Sequence, residues 1–348
     1  PEAGLALWRE TVDPGDLVGV AGTACRSRSG ELSVHAESWS MAAKCLTPPP
    51  DKHRGLRDAE VRVRQRHMDL ALGGEARRRL LARSAAVRAI RGRLAEHGFV
   101  EVETPMLNRI HGGANARPFS THINAYDLDL TLRIAPELYL KRLCVGGFEK
   151  VFEIGKNFRN EGADSTHNPE FTMLEAYEAY GSYDTMARRT REFVQKAARD
   201  ALGTEVVTLS DGSLYDLSGS WAEISMFEAT AEALGREFNV DTPLEELVKI
   251  AEELGEDVAD HWGPGKVTEV IFEAAVGDKL WAPTFVRDYP EDSSPLTRGH
   301  RSKKGIVEKW DLYVRGFELA TAYSELVDPV IQRQRFEAQA LAAANGDP

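Results

Sequence analysis

Phe158-Arg159-Asn160-Glu161-Gly162, followed after a short gap by His167-Asn168-Pro169-Glu170-Phe171, is the stretch on which the reading of this chain turns. Its flanks, Lys150 to Phe158 and Phe171 to Tyr180, interleave polar with apolar residues. That alternation reads as two adjacent antiparallel strands, with the quoted residues as the polar loop between them. Arg159 offers a planar fork suited to phosphate or carboxylate oxygens, and Phe171 offers a flat face for a heterocycle. The plainer alternative is a surface hairpin closed by a structural Arg–Glu pair.

Upstream, Leu80, Leu81, Ala85, Val87, Ile90 and Leu94 recur at helical spacing, which predicts a long helix over Glu75 to Glu96 with Gly98 as its C-terminal cap. Phe99 to Glu103 then alternates like a strand that Pro105 ends, and a further alternating segment runs from Ile123 to Ile134. Downstream, Asp184 to Ala201, Met226 to Leu234, Pro243 to Leu254 and Val267 to Val276 read as helices. Strands return at Thr284 to Arg287 and from Trp310 to Glu325, and a last helix covers Val330 to Ala344. Strands and helices segregate without a repeating βαβ order, so the fold class is α+β with an antiparallel sheet. Residues 16–47 have the composition of short strands in a small barrel or sheet. Pro48-Pro49-Pro50 is a stiff break, and the Arg-rich stretch to Gly74 reads as a linker.

The 348 residues, 42% hydrophobic and 28% charged, suit one large core with a smaller satellite domain. Cys25, Cys45 and Cys144 are far apart in sequence, so neither a zinc site nor a disulfide framework is expected, and a reducing cytoplasm is the simplest location. No apolar run of membrane-spanning length and no basic-then-apolar leader is present. A net charge of −12 argues against nonspecific coating of nucleic acid, although basic residues crowd into Lys52 to Arg93. Neither GxGxxG nor GxxxxGK[ST] occurs, so any nucleotide must be held in another way.

Two further groups carry chemistry. Asp311 and Glu318 lie on strands among Trp310, Leu312, Phe317, Leu319, Ala322 and Tyr323. Carboxylates in apolar company need a cation, either a metal such as Mg²⁺ bridging phosphates or a ligand ammonium, unless they simply face water on a half-exposed sheet. Glu137, in Arg133-Ile134-Ala135-Pro136-Glu137-Leu138, stands at a predicted helix start, where a carboxylate also has a capping use. Glu175 and Tyr177, two apart on one strand, share a face, and acids with a phenol suit a cationic ligand.

These residues together resemble the class II lysyl-tRNA synthetases. The stretch from Phe158 to Phe171 is similar to their second class-defining motif, and Gly98 through Thr104-Pro105 to their first. His111-Gly112-Gly113-Ala114, Ser294-Pro295-Leu296 and Tyr323-Ser324-Glu325-Leu326 with Asp328-Pro329 match in the same order, so the resemblance covers nearly everything from Asp51 onward. In His111 to Phe119 and Glu318 to Glu325 it looks most like the actinobacterial form joined to a lysyl-phosphatidylglycerol-forming membrane region.

The resemblance implies a class II antiparallel sheet, a partial OB-type anticodon-binding-like domain over 1–47, a linker over 48–74 and a catalytic domain over 75–348. It implies that Arg159 grips the α-phosphate and the lysine carboxylate, that Phe171 stacks on adenine, and that Asn160, Glu161, His167, Asn168 and Glu318 complete the ATP site. Asp311 and Glu318 would hold Mg²⁺; Gly113, Glu137 and Glu175 would receive the α-amino end of lysine; Glu325 and Tyr177 would select its side-chain ammonium. Lysine, ATP and tRNA(Lys) are the implied partners, with a cytoplasmic homodimer formed through the first-motif helix.

Two departures stand out. The family's third motif would follow Gly346-Asp347-Pro348, and the front of the barrel would precede Pro1. Thr321 is also implied among the lysine-binding residues, where it replaces an asparagine usual beside the substrate and shortens its hydrogen-bonding reach. Three readings remain open: a fragment of a full lysine–tRNA ligase, a lysine-activating paralogue serving a protein or lipid acceptor, or a noncatalytic binding module on the same fold.

Overall fold

Alternation and helical periodicity translate directly into the elements of the computed structural model, which describes residues 2–47, 49–50, 55–164 and 167–344. Pro48 of the predicted break, Asp51 and Lys52 at the start of the resemblance and of the basic stretch, and Gly346 to Pro348 before the expected third motif lie outside the described residues. The chain divides into two compact units, Pro1–Arg83 and Ser84–Pro348.

In the first unit, helix α1 (Glu2–Thr11) precedes strands β1 (Leu17–Arg26) and β2 (Leu32–Ala43), which form one antiparallel hairpin. Instead of several short strands there are two long ones. Ser29-Gly30 makes the turn, with Gly30 at φ 83°, whereas Gly22 sits at an irregularity where a Cβ would come within 2.0 Å of the His35 carbonyl oxygen. Helix α1 has no counterpart in the sequence reading. It is anchored on the hairpin by an edge-to-face Trp8–Trp39 contact at 5.1 Å and by Trp39 Nε1 donating to the Gly4 carbonyl. The linker region contains two short helices, α2 (Ala59–Arg64) and α3 (Arg66–Ala71), and Asp69 draws in Arg62 and Arg66.

Helix α4 (Glu75–Glu96) has the bounds its apolar spacing predicts, and Gly98 follows it at φ 81°. Then come β3 (Val100–Glu101), β4 (Leu107–Asn108), β5 (Ser120–Ile123), β6 (Leu128–Leu132), α5 (Glu137–Val145), β7 (Lys150–Phe158), β8 (Glu170–Glu178) and α6 (Tyr183–Leu202). After the small pair β9 (Val206–Thr208) and β10 (Leu214–Asp216) follow β11 (Ala222–Ser225), α7 (Met226–Leu234), α8 (Leu244–Leu254) and α9 (Pro264–Ala275). The chain continues through β12 (Thr284–Pro290), β13 (Ile306–Val314), β14 (Phe317–Tyr323) and α10 (Pro329–Ala344).

Two sheets position the site. One has the order β3-β7-β8 and the other β11-β12-β13-β14. Pairing is antiparallel except at one edge of each, where β3 runs parallel to β7 and β11 parallel to β12. The second parallel pair is possible because α7, α8 and α9 provide the long crossover it needs.

Helix α6 lies beneath both sheets. Its Phe193 packs with Leu94, Phe99, Phe152, Leu174 and Ala176 under the first. Its Ala187, with Tyr183, packs against Phe285, Trp310, Leu312, Ala320 and Ala322 under the second. Trp310 Nε1 donates to the Tyr183 carbonyl at 2.7 Å and the Tyr183 amide donates to Ser324 Oγ at 3.1 Å, so the second sheet is tied to the start of α6 by hydrogen bonds as well as by packing. Because side chains alternate along a strand, the residues between these apolar ones all point away from α6, toward one shared face. Among the described residues no helix is long and apolar enough to cross a membrane.

Candidate active site

The shared face begins on β7 and β8. Their register pairs Glu153 with Glu175, Gly155 with Met173, Asn157 with Phe171 and Val151 with Tyr177, so Phe171, Glu175 and Tyr177 stand in one row. Beside that row a buried pair fixes the floor: Arg133 Nη1 lies 2.6 Å from Glu153 Oε1, and Arg133 Nε donates to the Lys156 carbonyl. Glu153 Oε2 accepts from the Thr104 amide and hydroxyl. A Cβ at Gly155 would come within 2.2 Å of Arg133 Nη2, which is why glycine stands there. Removing one partner of such a buried pair costs about 3–5 kcal/mol.

Glu137 is the first residue of α5, as predicted, and is buried. Gly113, at φ 88°, approaches it so closely that a Cβ would lie 2.8 Å from Glu137 Cβ. Glu325 reaches the same place from beyond β14. The bridge Thr297–Glu325 and the Leu326 amide donating to the Leu296 carbonyl hold its backbone, which gives Ser294-Pro295-Leu296 a structural task. The structure thus brings together Gly113, Glu137, Glu175, Tyr177 and Glu325.

The sequence reading missed the cation at their centre. Lys141 Nζ lies 2.7 Å from Glu137 Oε1 and 3.0 Å from Glu325 Oε2. Tyr177 Oη donates to Glu175 Oε1 at 2.7 Å. Burial lifts Glu175 to about 7 against the Tyr177 hydrogen bond, with the Glu137 charge adding to the rise. Burial likewise raises Glu325, which Lys141 opposes, and burial followed by the three carboxylates raises Tyr323.

At the loop between β7 and β8, the Arg159 amide donates to the Pro169 carbonyl and its guanidinium lies 5.2 Å from the centre of the Phe171 ring. Its buried Nε has no hydrogen-bond partner. Asn160, Glu161, His167 and Asn168 are exposed. The Asn160 amide donates to the Arg117 carbonyl, Glu161 accepts from the Arg117 amide, and His167 pairs with Asp164. Arg159 and Phe171 are therefore joined directly, while the other four form the outer rim.

The second sheet supplies the acidic end. Asp311 pairs with Thr321, and Tyr313 pairs with Glu318 after a register shift, so Asp311, Glu318 and Thr321 line one cleft of about 420 Å³. The cleft is roofed by α9, whose Glu269 and Glu273 also face it. Lys309 Nζ is 3.1 Å from Asp311 Oδ2 and lies over the Tyr289 ring, but the buried Asp311 Oδ1 has no partner. Desolvation by the surrounding protein, then the Asp311 charge, push Glu318 to about 7. Thr321 Oγ1 donates to the Trp310 carbonyl, so its short side chain is turned to the strand.

Two carboxylates lining one cleft, one with a free buried oxygen, form a hard oxygen donor set that suits Mg²⁺. Among the described residues no three or more His, Cys, Asp or Glu are grouped to hold a metal. The pair therefore fits an ion that takes its remaining ligands from phosphate and water. Lys141, Glu269 and Glu273 left only spacings of four on helices, and Lys309 only its alternation with Asp311, patterns that a solvated surface shares.

Residues 58–347 match the family model of class II tRNA synthetases (D, K and N). The chain is 57% identical over 347 residues to a lysine–tRNA ligase of Kineococcus radiotolerans and 57% identical over 345 residues to one of Mycolicibacterium gilvum, covering 99% of itself and 69% of each. It is also 54% identical over 345 residues to the lysylphosphatidylglycerol biosynthesis bifunctional protein LysX of Mycolicibacterium gilvum, covering 31% of that longer protein. The chain belongs to the class II tRNA synthetases, in their lysine–tRNA ligase family.

Proposed function

We propose that this face joins lysine to ATP as lysyl-adenylate and passes the lysyl group to tRNA(Lys). The observation that carries the reading is the convergence of Glu137, Glu175, Tyr177 and Glu325 around an ammonium within one face that also holds Arg159 and Phe171. Gly113, Glu137 and Glu175 receive the α-amino group, and Glu325 with Tyr177 takes the side-chain ammonium. Phe171 offers its ring to adenine once Arg159 swings from it to the α-phosphate and the substrate carboxylate. Asn160, Glu161, His167 and Asn168 close the rim over ATP.

In the reaction a lysine carboxylate oxygen attacks the α-phosphorus, the bond to the β-phosphate oxygen breaks, and pyrophosphate leaves. Arg159 aligns the two anions and stabilises the charge that builds between them, so the chain needs no covalent intermediate of its own. Asp311 and Glu318 would hold Mg²⁺, which supplies charge neutralisation on the phosphates. Thr321 sits beside them with little reach toward substrate.

A homodimer is consistent with the exposed Val100, Met106, Leu107 and Ile110 that follow the first-motif helix. Cytoplasmic location fits the three free cysteines. The likeness to the bifunctional protein favours a second reading in which the lysyl group serves a lipid acceptor.

The test is lysine-dependent exchange of labelled pyrophosphate into ATP, run with Mg²⁺ and a panel of amino acids. Exchange confined to lysine is the expected result; exchange with another amino acid and not with lysine would overturn the substrate assignment. Charging of tRNA in the same preparation separates the two acceptors.

A further inference from the structure

The pocket assigned to lysine already contains a lysine of the protein's own. Lys141 stands one helical turn after Glu137 on α5, and an isolated pair at that spacing contributes little on a solvated helix. Here the ammonium also reaches Glu325, which arrives from the end of the other sheet, and lies 5.8 Å from the centre of the Tyr177 ring. Its side chain is 30% exposed, so this is a partly desolvated bridge, not a surface pair.

We propose that Lys141 is a positioning residue for the substrate: it bridges Glu137 and Glu325 and aims them, leaving the pocket two negative charges to match the two ammonium groups of free lysine. The inference rests on the lysine-activating reading above. The charge count follows from the groups present. Three carboxylates, Glu137, Glu175 and Glu325, face one resident cation, so an entering α-ammonium and side-chain ammonium bring the pocket to neutrality. An amino acid with an uncharged side chain leaves one desolvated carboxylate unbalanced.

Every element packed around Lys141 contributes to this balance. Glu137 and Cys144 lie on α5, Glu175 and Tyr177 on β8, Tyr323 on β14, Glu325 beyond it, and Arg133 before α5 acts on Glu175. Burial works against the Lys141 ammonium, but Glu325 and Glu137 reverse the effect and raise its pKa. For Glu325, burial and Glu137 raise the pKa and only Lys141 lowers it. Without Lys141 the empty pocket would take up a proton, and substrate would have to expel it.

Calorimetric titration of L-lysine into the wild-type chain, Lys141→Met and Lys141→Arg between pH 6 and 8.5, in buffers of different ionisation enthalpy, tests this. Lys141→Met should bind lysine about tenfold more weakly at pH 6.5, corresponding to roughly one pKa unit. It should recover to within about threefold at pH 8.5 and release more protons on binding. Lys141→Arg should stay near wild type, and ATP affinity should not change in either variant. Wild-type behaviour of Lys141→Met at every pH, or a loss that high pH does not restore, would overturn the proposal. If Lys141→Met loses ATP binding and its circular dichroism spectrum, Lys141→Gln is titrated in its place: a loss restored at high pH supports the proposal, and either of the other two outcomes overturns it. A wild-type chain that binds ATP but no lysine would instead sink the lysine reading itself.

Discussion

The two acidic ends of the active face are built from similar parts and left in different states. At the lysine end, three carboxylates surround Lys141, which touches two of them, while Tyr177 hydrogen-bonds the third. At the phosphate end, Asp311 and Glu318 share the cleft with Glu269 and Glu273, yet Lys309 reaches Asp311 through one oxygen and leaves the other buried and unpaired. Phenols and a resident amine prepare a site for ammonium, whose hydrogens need directed acceptors. A carboxylate oxygen kept free prepares one for a metal ion, whose coordination shell is completed by the substrate's own oxygens.

The contrast predicts separable losses, with the largest at the residue between the two ends. Arg159→Ala should reduce pyrophosphate exchange by about 10²–10³-fold or more, the scale for removing a positioned donor to developing charge. Thermal stability should hardly move, since the buried Arg159 Nε makes no hydrogen bond whose loss would cost the fold; exchange at the wild-type rate would remove Arg159 from the reaction. Next, Glu325→Gln should raise the KM for lysine by about 10–100-fold, the range expected when a charged hydrogen-bonding group is lost, with little effect on ATP. Asp311→Asn should do the reverse, abolishing the tightening of ATP binding by Mg²⁺ while leaving lysine affinity alone. Equal losses for both ligands in either variant would show that the two ends are not independent.

How much of this was legible in the sequence depends on whether a pattern has one structural meaning. The interleaving of polar and apolar residues around the Phe158–Phe171 loop read as two paired strands, and the shared face of Glu175 and Tyr177 followed from it; Phe171 joins them in one row. The bounds of α4 were equally open to reading, because apolar spacing and Gly98 agree. The parallel edges β3–β7 and β11–β12 were hidden, since parallel partners are distant in sequence and β3 is only two residues long. Helix α1 was hidden because its anchor, Trp39, comes from a strand far along the chain. Lys141 was hidden for a third reason: a Glu and a Lys four apart look the same on a solvated helix and in a pocket, and only Glu325 arriving from the other sheet tells them apart.

The smallest expected effect concerns protons at the lysine end. Glu175, at about 7, lies above its ordinary value because burial disfavours its charge more than Tyr177, Lys141 and Arg133 restore it. A substrate ammonium favours the ionised form, so binding must drive off whatever proton is present. Below pH 7 that proton competes with lysine; above it the competition fades. Lysine affinity should therefore rise by roughly tenfold between pH 6 and pH 8, with proton release on binding greatest below the midpoint. Glu175→Gln should flatten the rise, because an amide carries no proton to expel. Calorimetry on the two proteins distinguishes the cases: a slope that persists in Glu175→Gln would move the titration to Glu325, whose pKa burial also raises and Lys141 opposes.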